Sequence, residues 1–197
     1  MLADALRSDH LTARLVRQSP AERRARRAEI DDPNAVLEAA LRFLEVRQRS
    51  VAEVRRRLTR AGYREDLVAG VIARLGDLGM LDDEAFAAQW VESRDRARPR
   101  GERALRAELR WKGVDASTID LAMIGREGGG EPDPDDAAAD RFLASEARTL
   151  GRIVDPRQRR NRAYAALARR GFDADTSTRA IRRAESAAVD GSEDLGE

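Results

Sequence analysis

Cysteine is absent from this 197-residue sequence, so disulfide bonds and thiolate chemistry are excluded. Histidine occurs once, as His10 in a polar stretch, and no H-x-x-H or C-x-x-C spacing exists, which argues against a transition-metal site. Long apolar runs are missing too, since none approaches the roughly 18 residues that suggest a membrane helix. The first residues lack the basic-then-apolar order of a secretory signal. These absences predict a cytoplasmic protein that holds no metal.

Motifs of the common catalytic sites are also missing. There is no G-x-x-x-x-G-K-[ST] phosphate loop and no G-x-S-x-G nucleophile elbow. The three glycines at 128–130 lie between acidic residues, not between a strand and a helix, which does not suit a phosphate cradle. The acids at 82–84 could form a Mg²⁺ site, but helix capping and the helix dipole explain them more simply. The sequence therefore predicts a binding protein without a cofactor, not an enzyme.

Aromatic residues make up only 4% of the sequence, whereas charged residues make up 37%. The formal net charge is +1, but residues 141–184 carry +8, and residues 125–140 and 185–197 carry −5 each. A local field of this kind matters more to a charged partner than the total charge does. Lys112 is the single lysine, so nearly all cations are arginines, which clamp phosphates and carboxylates well. A GC-rich genome would produce the same bias, so the bias is compatible with binding without establishing it.

Apolar residues recur at helical spacing, and no run alternates convincingly as a strand would. Ser50 and Glu53 form the S-x-x-E pattern of a capping box, which predicts the start of a helix. Asp82 predicts another start, and so does Asp155 followed by Pro156. Alanine, leucine, arginine and glutamate dominate, and all four favour helices. The sequence predicts an all-α fold.

The signals that end helices recur in a fixed order. An L-x-x-x-G pattern appears three times, each time preceded by a helix with a phenylalanine and followed by a short helix. Such recurrence indicates tandem units that stack on their neighbours. Because a unit of roughly 45 residues is small for a core of its own, we expect an elongated array of three three-helix repeats, with about nine helices. The recurring pairs are Leu58 and Gly62, Leu109 and Gly113, and Leu167 and Gly171, and the phenylalanines are Phe43, Phe86 and Phe142.

Composition distinguishes the segments outside the repeats. Residues 1–33 are highly charged and have no apolar stripe, and residues 125–135 are rich in glycine, proline and acids, as linkers are. A linker of this kind would allow the third repeat to swing. The predicted organisation is a flexible charged extension over 1–33, repeats over 34–81, 82–124 and 136–188, an acidic Gly/Pro linker over 125–135, and an acidic disordered tail over 189–197.

Arginines are dense in three regions. In the first, Glu45 and Glu53 accompany them, so a solvated face and a contact surface stay equally open. In the second, Leu105 and Leu109 face inward, which places arginines at i, i+3 and i+7 on one side of the helix. In the third, acids are scarce, which favours a surface for phosphates or for an acidic protein groove. The candidate contact residues are Arg103, Arg106 and Arg110 in the second repeat, and Arg159, Arg162, Arg169 and Arg170 in the third.

The two tryptophans admit different interpretations. Trp90 could stack on a nucleic-acid base, but its spacing with Phe86 favours a place in the core. Trp111 lies beside the inward-facing Leu109 and next to Lys112, and both interpretations stay open for it.

These residues together resemble the RecX family of recombination regulators. The similarity spans about 145 residues and consists of three blocks in the same order, of which the one in the third repeat, over 159–181, is the weakest. The first block, R-x-R-S-x-x-E-V-x-x-x-L, comprises Arg47, Arg49, Ser50, Glu53, Val54 and Leu58. The second, which covers two motifs, comprises Asp82, Asp83, Phe86, Ala87 and Trp90, then Arg100, Gly101, Leu105, Glu108, Leu109, Lys112, Gly113 and Val114.

The resemblance implies a fold and a partner. Proteins similar to this one are all-helical tandem repeats that lie in the groove of the RecA–DNA filament and lower filament growth, ATPase activity and strand exchange by RecA. It therefore implies a monomeric regulator that meets single- or double-stranded DNA through the filament. The family's motif residues look structural, so they do not identify the contact surface. The alternative is a DNA-binding module that acts without RecA, since three-helix units with arginine-rich helices resemble helix-turn-helix domains.

Overall fold

The computed structural model describes residues 19–127 and 133–193, and within these ranges all regular structure is helical. The predicted all-α class and the three tandem three-helix repeats are confirmed. One helix precedes the repeats, so the described chain contains ten helices where about nine were expected. The helices are α1 (Pro20–Ala28), α2 (Pro33–Leu44), α3 (Val51–Ala61), α4 (Glu65–Asp77), α5 (Asp83–Ala97), α6 (Glu102–Lys112), α7 (Ala116–Glu127), α8 (Pro134–Gly151), α9 (Pro156–Arg169) and α10 (Ala174–Glu193).

Two compact units make up the described chain. One comprises residues 19–47 and 54–77, which contain α1, α2, most of α3 and α4. The other comprises residues 48–53 together with 78–127 and 133–193, which contain the first turn of α3 and helices α5 to α10. The second and third repeats therefore share one compact unit.

Local capping chemistry accounts for most helix ends. Ser50 and Glu53 form the predicted capping box, in which each backbone N–H donates to the other side chain. Asp82 accepts from the backbone N–H groups of residues 84 and 85 at the start of α5. Each glycine of the three L-x-x-x-G patterns has a positive φ, +105° at Gly62, +85° at Gly113 and +87° at Gly171. Because side chains other than glycine rarely adopt this conformation, these positions end α3, α6 and α9.

Each repeat encloses its own apolar core. The core of the second repeat is built around Phe86, Leu105 and Leu109, and that of the third around Phe142 and Leu167. In the first repeat, α2, α3 and α4 bury eight apolar side chains. These are Val36, Ala40, Val54, Leu58, Val68, Val71, Ile72 and Leu75.

Part of the predicted flexible extension is helical. Residues 1–18, including His10, lie outside the described residues, but residues 20–28 form α1. Ser19 and Glu22 make a complete capping box, and Pro20 occupies the first turn, where its missing N–H costs nothing. Because α1 buries no side chain of its own, periodicity alone did not reveal it. Contacts with the first repeat, instead of an apolar stripe, stabilise α1.

The predicted linker and tail also differ from the structure at their edges. Helix α7 extends to Glu127 and α8 begins at Pro134, so both ends of the 125–135 segment are helical. Residues 128–132, with the three glycines, lie outside the described residues. At the C-terminal end, α10 continues to Glu193, into the segment predicted to be disordered. Pro134 at the first turn, with Asp133 as the N-cap, explains the early start of α8.

A backbone-to-backbone joint connects the second and third repeats. The N–H of Gly101 donates to the carbonyl of Arg170 over 3.1 Å. A Cβ at Gly101 would lie 2.4 Å from the carbonyl oxygen of Gly171, and a Cβ at Gly171 would lie 2.4 Å from the Cβ of Ala104. Since real side chains do not approach so closely, both positions require glycine. The repeat glycine Gly171 therefore ends α9 and also sits in the joint.

A buried ion cluster, the Arg126 triad (Arg126, Asp95 and Asp135), reinforces the joint. The Arg126 side chain is only 7% exposed and donates two 2.8 Å hydrogen bonds to Asp95 on α5. It also pairs with Asp135 in the first turn of α8, which in turn accepts from the N–H of Glu102 on α6. Burial raises the pKa of Asp135 against the opposing effect of these donors. The triad and the joint do not agree with a freely swinging third repeat.

Candidate interaction surfaces

The motif residues that resemble the RecX pattern meet in a buried cluster around Lys112. Lys112 is 4% exposed, and its Nζ lies 3.3 Å from Oε1 of Glu53. The same ammonium lies 4.0 Å from the ring centroid of Trp90 and 5.7 Å from that of Phe86. The Ser50 hydroxyl donates to the Lys112 carbonyl over 2.7 Å. A buried charge is costly unless it is paired, and here a carboxylate and two aromatic faces compensate it.

Trp90 is committed to this cluster. Its indole N–H donates to Oε2 of Glu108 over 2.9 Å, and the guanidinium of Arg94 lies over the ring, 4.1 Å from its centroid. Glu108 in turn accepts from Nε of Arg94 over 2.8 Å. With cations at about 4 Å and its N–H bonded, the ring is not available to stack on a base.

Two of the acids at 82–84 accept hydrogen bonds from backbone N–H groups. Asp82 caps α5, and Asp83 accepts from the N–H of Val51 over 2.9 Å, which ties the start of α3 to the start of α5. Burial raises the pKa of Asp83. In the described part of the chain, no group of three or more histidine, cysteine, aspartate or glutamate residues is arranged to hold a metal ion.

The arginines on α6 (Arg103, Arg106 and Arg110, the α6 stripe) are not equivalent. Arg106 is half-buried and pairs with Glu102 on its own helix and with Asp120 on α7. The hydrogen bond to Asp120 is the main cause that raises the pKa of Arg106. Arg103 and Arg110 are exposed and have no carboxylate partner among the described residues. They line a hollow of about 300 Å³ that also contains the carboxylates of Glu102, Asp135 and Asp173, so the surface is mixed in charge.

The arginines on α9 (Arg159, Arg162 and Arg169, the α9 stripe) are all exposed. None of the three forms an ion pair with a described carboxylate. Ala163 and Leu167 face the core, so Arg162 and Arg169, seven residues apart, lie on one outer side of the helix. The residues between these two arginines include no acid. The prediction of an arginine stripe on α9 is therefore matched in geometry, and its role stays a prediction.

Arg170, the fourth candidate of the third repeat, lies apart from the α9 stripe. Its guanidinium lies 4.4 Å from the ring centroid of Phe142, and its carbonyl accepts from Gly101. Desolvation and the neighbouring Arg100 and Arg98 lower its pKa. Arg170 belongs to the joint between the repeats and is only partly accessible.

Other arginines of the third repeat are neutralised across helices. Arg179 and Arg183 on α10 pair with Asp136 on α8, and Arg183 also pairs with Asp140. Arg160 on α9 pairs with Glu185 through two hydrogen bonds of 3.0 and 2.9 Å. Fewer arginines of this repeat than its sequence suggests are therefore without a described carboxylate partner. The arginines of the α9 stripe are among those that are.

Trp111 at the end of α6 is 77% exposed. Its spacing beside Leu109 left open whether it would be buried, and the structure places it on the surface next to Arg110. Large exposed aromatic side chains with a neighbouring cation are common in binding surfaces. The structure thus adds a candidate contact residue that spacing alone did not select.

The described chain is thus an all-α array of tandem three-helix repeats, and the arginines of its α9 stripe have no ion pair with a described carboxylate. Family models match two of the repeats: the second three-helix domain of RecX matches residues 82–123, and the first matches residues 37–75. None of the described helices is both long enough and apolar enough to traverse a lipid bilayer.

Known proteins are similar to this chain in sequence over most of their length. A regulatory protein RecX from Mycolicibacterium vanbaalenii is 40% identical over 139 residues, which are 68% of this chain and 73% of the relative. One from Mycobacterium avium is 38% identical over 132 residues, which are 67% of this chain and 74% of the relative. The chain therefore belongs to the RecX family, whose matched relatives are named regulatory proteins.

Solved structures share the fold. The crystal structure of RecX from Lactobacillus salivarius superposes with a TM-score of 0.66 at 22% identity, covering 78% of this chain and 96% of that one. A second crystal structure, of a regulatory protein RecX, has a TM-score of 0.60 at 21% identity and covers 80% of this chain and 70% of that one. At these identities the likeness bears on the fold alone.

Proposed function

We propose that this chain is a cytoplasmic, non-enzymatic regulator that binds the RecA–DNA filament as a monomer and inhibits filament growth, ATPase activity and strand exchange. The observation that carries the proposal is membership of the RecX family, with relatives about 40% identical that are named regulatory proteins. RecA is the partner that the family resemblance implies. The filament carries DNA, so an anionic backbone is part of the surface that the chain would meet.

The α9 stripe is the contact surface that we assign to this function. Its guanidinium groups are exposed, are free of described carboxylates and are held on a helix whose other side is packed in the third repeat's core. An arginine that already has a carboxylate partner would have to give up that partner before it binds an anion, whereas Arg162 and Arg169 would not. Arginine also forms paired hydrogen bonds with phosphates and carboxylates, so the stripe suits either component of a nucleoprotein filament.

The α6 stripe contributes less in this proposal. Arg106 is held by Glu102 and Asp120, and the hollow beside Arg103 and Arg110 contains two further acids, Asp135 and Asp173. Trp111, exposed beside Arg110, is the residue of this helix that we expect to contact the partner through its apolar surface.

The test of the proposed function is the ATPase rate of RecA on single-stranded DNA, with this protein added at substoichiometric ratios. We expect the rate to fall at ratios well below one molecule per RecA subunit, because a regulator that stops filament growth acts on many subunits. Bovine serum albumin at the same concentration serves as the control. An ATPase rate that stays constant at every ratio would rule the proposal out.

A DNA-binding module that acts without RecA is the second candidate, because the unpaired cations of the α9 stripe would also suit naked DNA. The two candidates differ in affinity for naked DNA and for the filament at the same salt concentration. Filament affinity well above DNA affinity supports the regulator. Equal affinities with a steep salt dependence support the stand-alone module.

A further inference from the structure

A basic cleft lies in the first unit, between α1, α2 and α3, far along the chain from the α9 stripe. Its volume is about 670 Å³, within the range of clefts that hold small ligands. Among the described residues that line it, none is acidic. Six arginines line it: Arg23, Arg24 and Arg27 from α1, Arg42 from α2, and Arg57 and Arg60 from α3.

The cleft depends on the close docking of α1. A Cβ added at Gly62 would lie 2.6 Å from the carbonyl oxygen of Arg24, so the α1 backbone rests directly on the turn that ends α3. The Arg27 guanidinium donates to the Ala61 carbonyl over 3.4 Å. The first family-model match begins at residue 37, so α1 and its three cleft arginines lie outside that match. The cleft is thus a feature of this chain that the family match does not describe.

Three of the cleft arginines have no compensating carboxylate among the described residues. Arg24, Arg57 and Arg60 are exposed and have no ion pair with a described carboxylate. Arg42 contacts Glu38 at 3.6 Å, but both side chains are more than two-thirds exposed, so this pair is weak. The guanidinium groups of Arg24, Arg57 and Arg60 repel one another, and an anion bound among them would relieve that repulsion.

Two aromatic rings lie in the same cleft beneath arginines. The Arg27 guanidinium lies 5.8 Å from the ring centroid of Tyr63, and that of Arg57 lies 5.7 Å from the centroid of Phe43. Both rings are half-buried. Rows of cations with interleaved aromatic faces are the chemistry that binds single-stranded nucleic acid, because phosphates pair with the cations and bases stack on the rings.

We propose that the cleft formed by α1, α2 and α3 binds a short stretch of single-stranded nucleic acid. The phosphates contact the arginines, and a base stacks on the ring of Tyr63. An acidic protein segment would satisfy the cations but would place no flat group against this ring. The cleft shares no residue with the α9 stripe, and this inference does not depend on the proposed action on RecA.

The experiment measures binding of a fluorescent oligothymidylate of about 12 nucleotides to the full chain by anisotropy. The test variant is Arg57→Gln with Arg60→Gln, which breaks no ion pair with a described residue. The matched control is Arg148→Gln with Arg152→Gln, two exposed arginines of the third repeat that likewise have no described carboxylate partner. We expect the cleft variant to bind about tenfold more weakly, with a salt slope reduced by about 1.4, and the control to change less than about twofold.

A second pair of variants tests the aromatic contribution. Tyr63→Leu is expected to weaken binding at least about fivefold, whereas Tyr63→Phe, which keeps the ring, is expected to retain it. A duplex of the same length, whose bases are already stacked, is expected to bind more weakly to the native chain. Circular-dichroism melting curves of all variants establish that the fold is retained.

Three outcomes would overturn the inference. If the cleft variant and the control lose affinity equally, the oligonucleotide senses only the total charge. If Tyr63→Leu and Tyr63→Phe bind alike, no base stacks on this ring. If poly-aspartate of matched charge displaces the oligonucleotide as effectively as unlabelled oligothymidylate does, the cleft binds acidic protein segments instead. None of these measurements contains RecA, so failure here is distinct from failure of the proposed function.

Discussion

Helices α6 and α9 each carry two stripe arginines seven residues apart, yet the two stripes differ in what their arginines contact. On α6, Arg106 is held by Glu102 and Asp120, and the neighbouring hollow is lined by acids. On α9, Arg162 and Arg169 have no described carboxylate partner. Glu102 lies on α6 itself, four residues before Arg106, but Asp120 lies on α7 and approaches Arg106 only in the folded chain. The position of arginines on one helix therefore does not show whether they are available to bind a partner. That depends also on the carboxylates of neighbouring helices.

Arg126 is more deeply buried and more fully paired than the stripe arginines. Its replacement is therefore expected to have the largest effect, which is on folding stability. Replacing Arg126 by Met leaves Asp95 and Asp135 partly buried without their cation. We expect a loss of about 3 kcal/mol in the free energy of unfolding, at the lower end for a broken buried pair because Asp135 keeps the N–H of Glu102. Urea unfolding followed by tryptophan fluorescence measures it.

The control for this variant is Arg126→Lys, which keeps the charge but cannot bond both carboxylates in the same way. It is expected to lose less stability than Arg126→Met. A loss below about 1 kcal/mol for the methionine variant would mean that the triad contributes no more than an exposed pair does.

The α9 stripe gives the next effect, on binding instead of stability. Arg162→Glu with Arg169→Glu is expected to weaken binding to the RecA–DNA filament at least about tenfold, because the reversed charges repel the same anionic surface. Surface plasmon resonance on immobilised filaments measures it, and the melting temperature should stay unchanged because neither side chain has a described ion-pair partner.

Arg148→Glu with Arg152→Glu is the matched control for the α9 stripe, since it reverses the same number of exposed charges elsewhere in the third repeat. Equal weakening by both double variants would show that only the total charge matters. Unchanged binding of the α9 variant would show that its stripe is a solvated face.

Replacing Arg106 is expected to have the smallest effect. Unlike the α9 variant, it should lower folding stability and leave filament affinity nearly unchanged. Arg106→Gln is expected to cost about 0.5 to 1 kcal/mol of folding stability, because the lost pairs are partly exposed, and to leave filament affinity nearly unchanged. The same urea titration and binding assay measure both quantities. A larger loss of filament affinity than of stability would place Arg106 in the contact surface and would remove the distinction between the two helices.

The sequence predicted the features that depend on neighbours along the chain. The capping box of Ser50 and Glu53, the cap at Asp82 and the glycines that end α3, α6 and α9 are such features, since their partners lie within a few residues. Lys112 is different, because its partner Glu53 lies 59 positions away and no local pattern marks it as buried. Its hydrophilic side chain would ordinarily be assigned to the surface.

The surfaces were predictable only in part, because their shape also depends on residues that are far apart in the sequence. Helical spacing placed Arg162 and Arg169 on one side of α9, because Leu167 fixes the inward direction. It did not reveal the cleft of the first unit, because α1 has no apolar stripe and docks through its backbone on Gly62. A glycine that only ends a helix and a glycine that also admits a neighbouring backbone look identical in a sequence.

The joint at Gly101 and Gly171 has a consequence for multivalent binding. It brings the start of α6 into direct backbone contact with the end of α9, so Arg103 and Arg169 belong to one body with a set separation. A partner that has engaged one helix then meets the other at a high effective concentration, with no flexible connection to order first. Two individually weak contacts on these helices can in this way add up to a long residence time on a repetitive polymer.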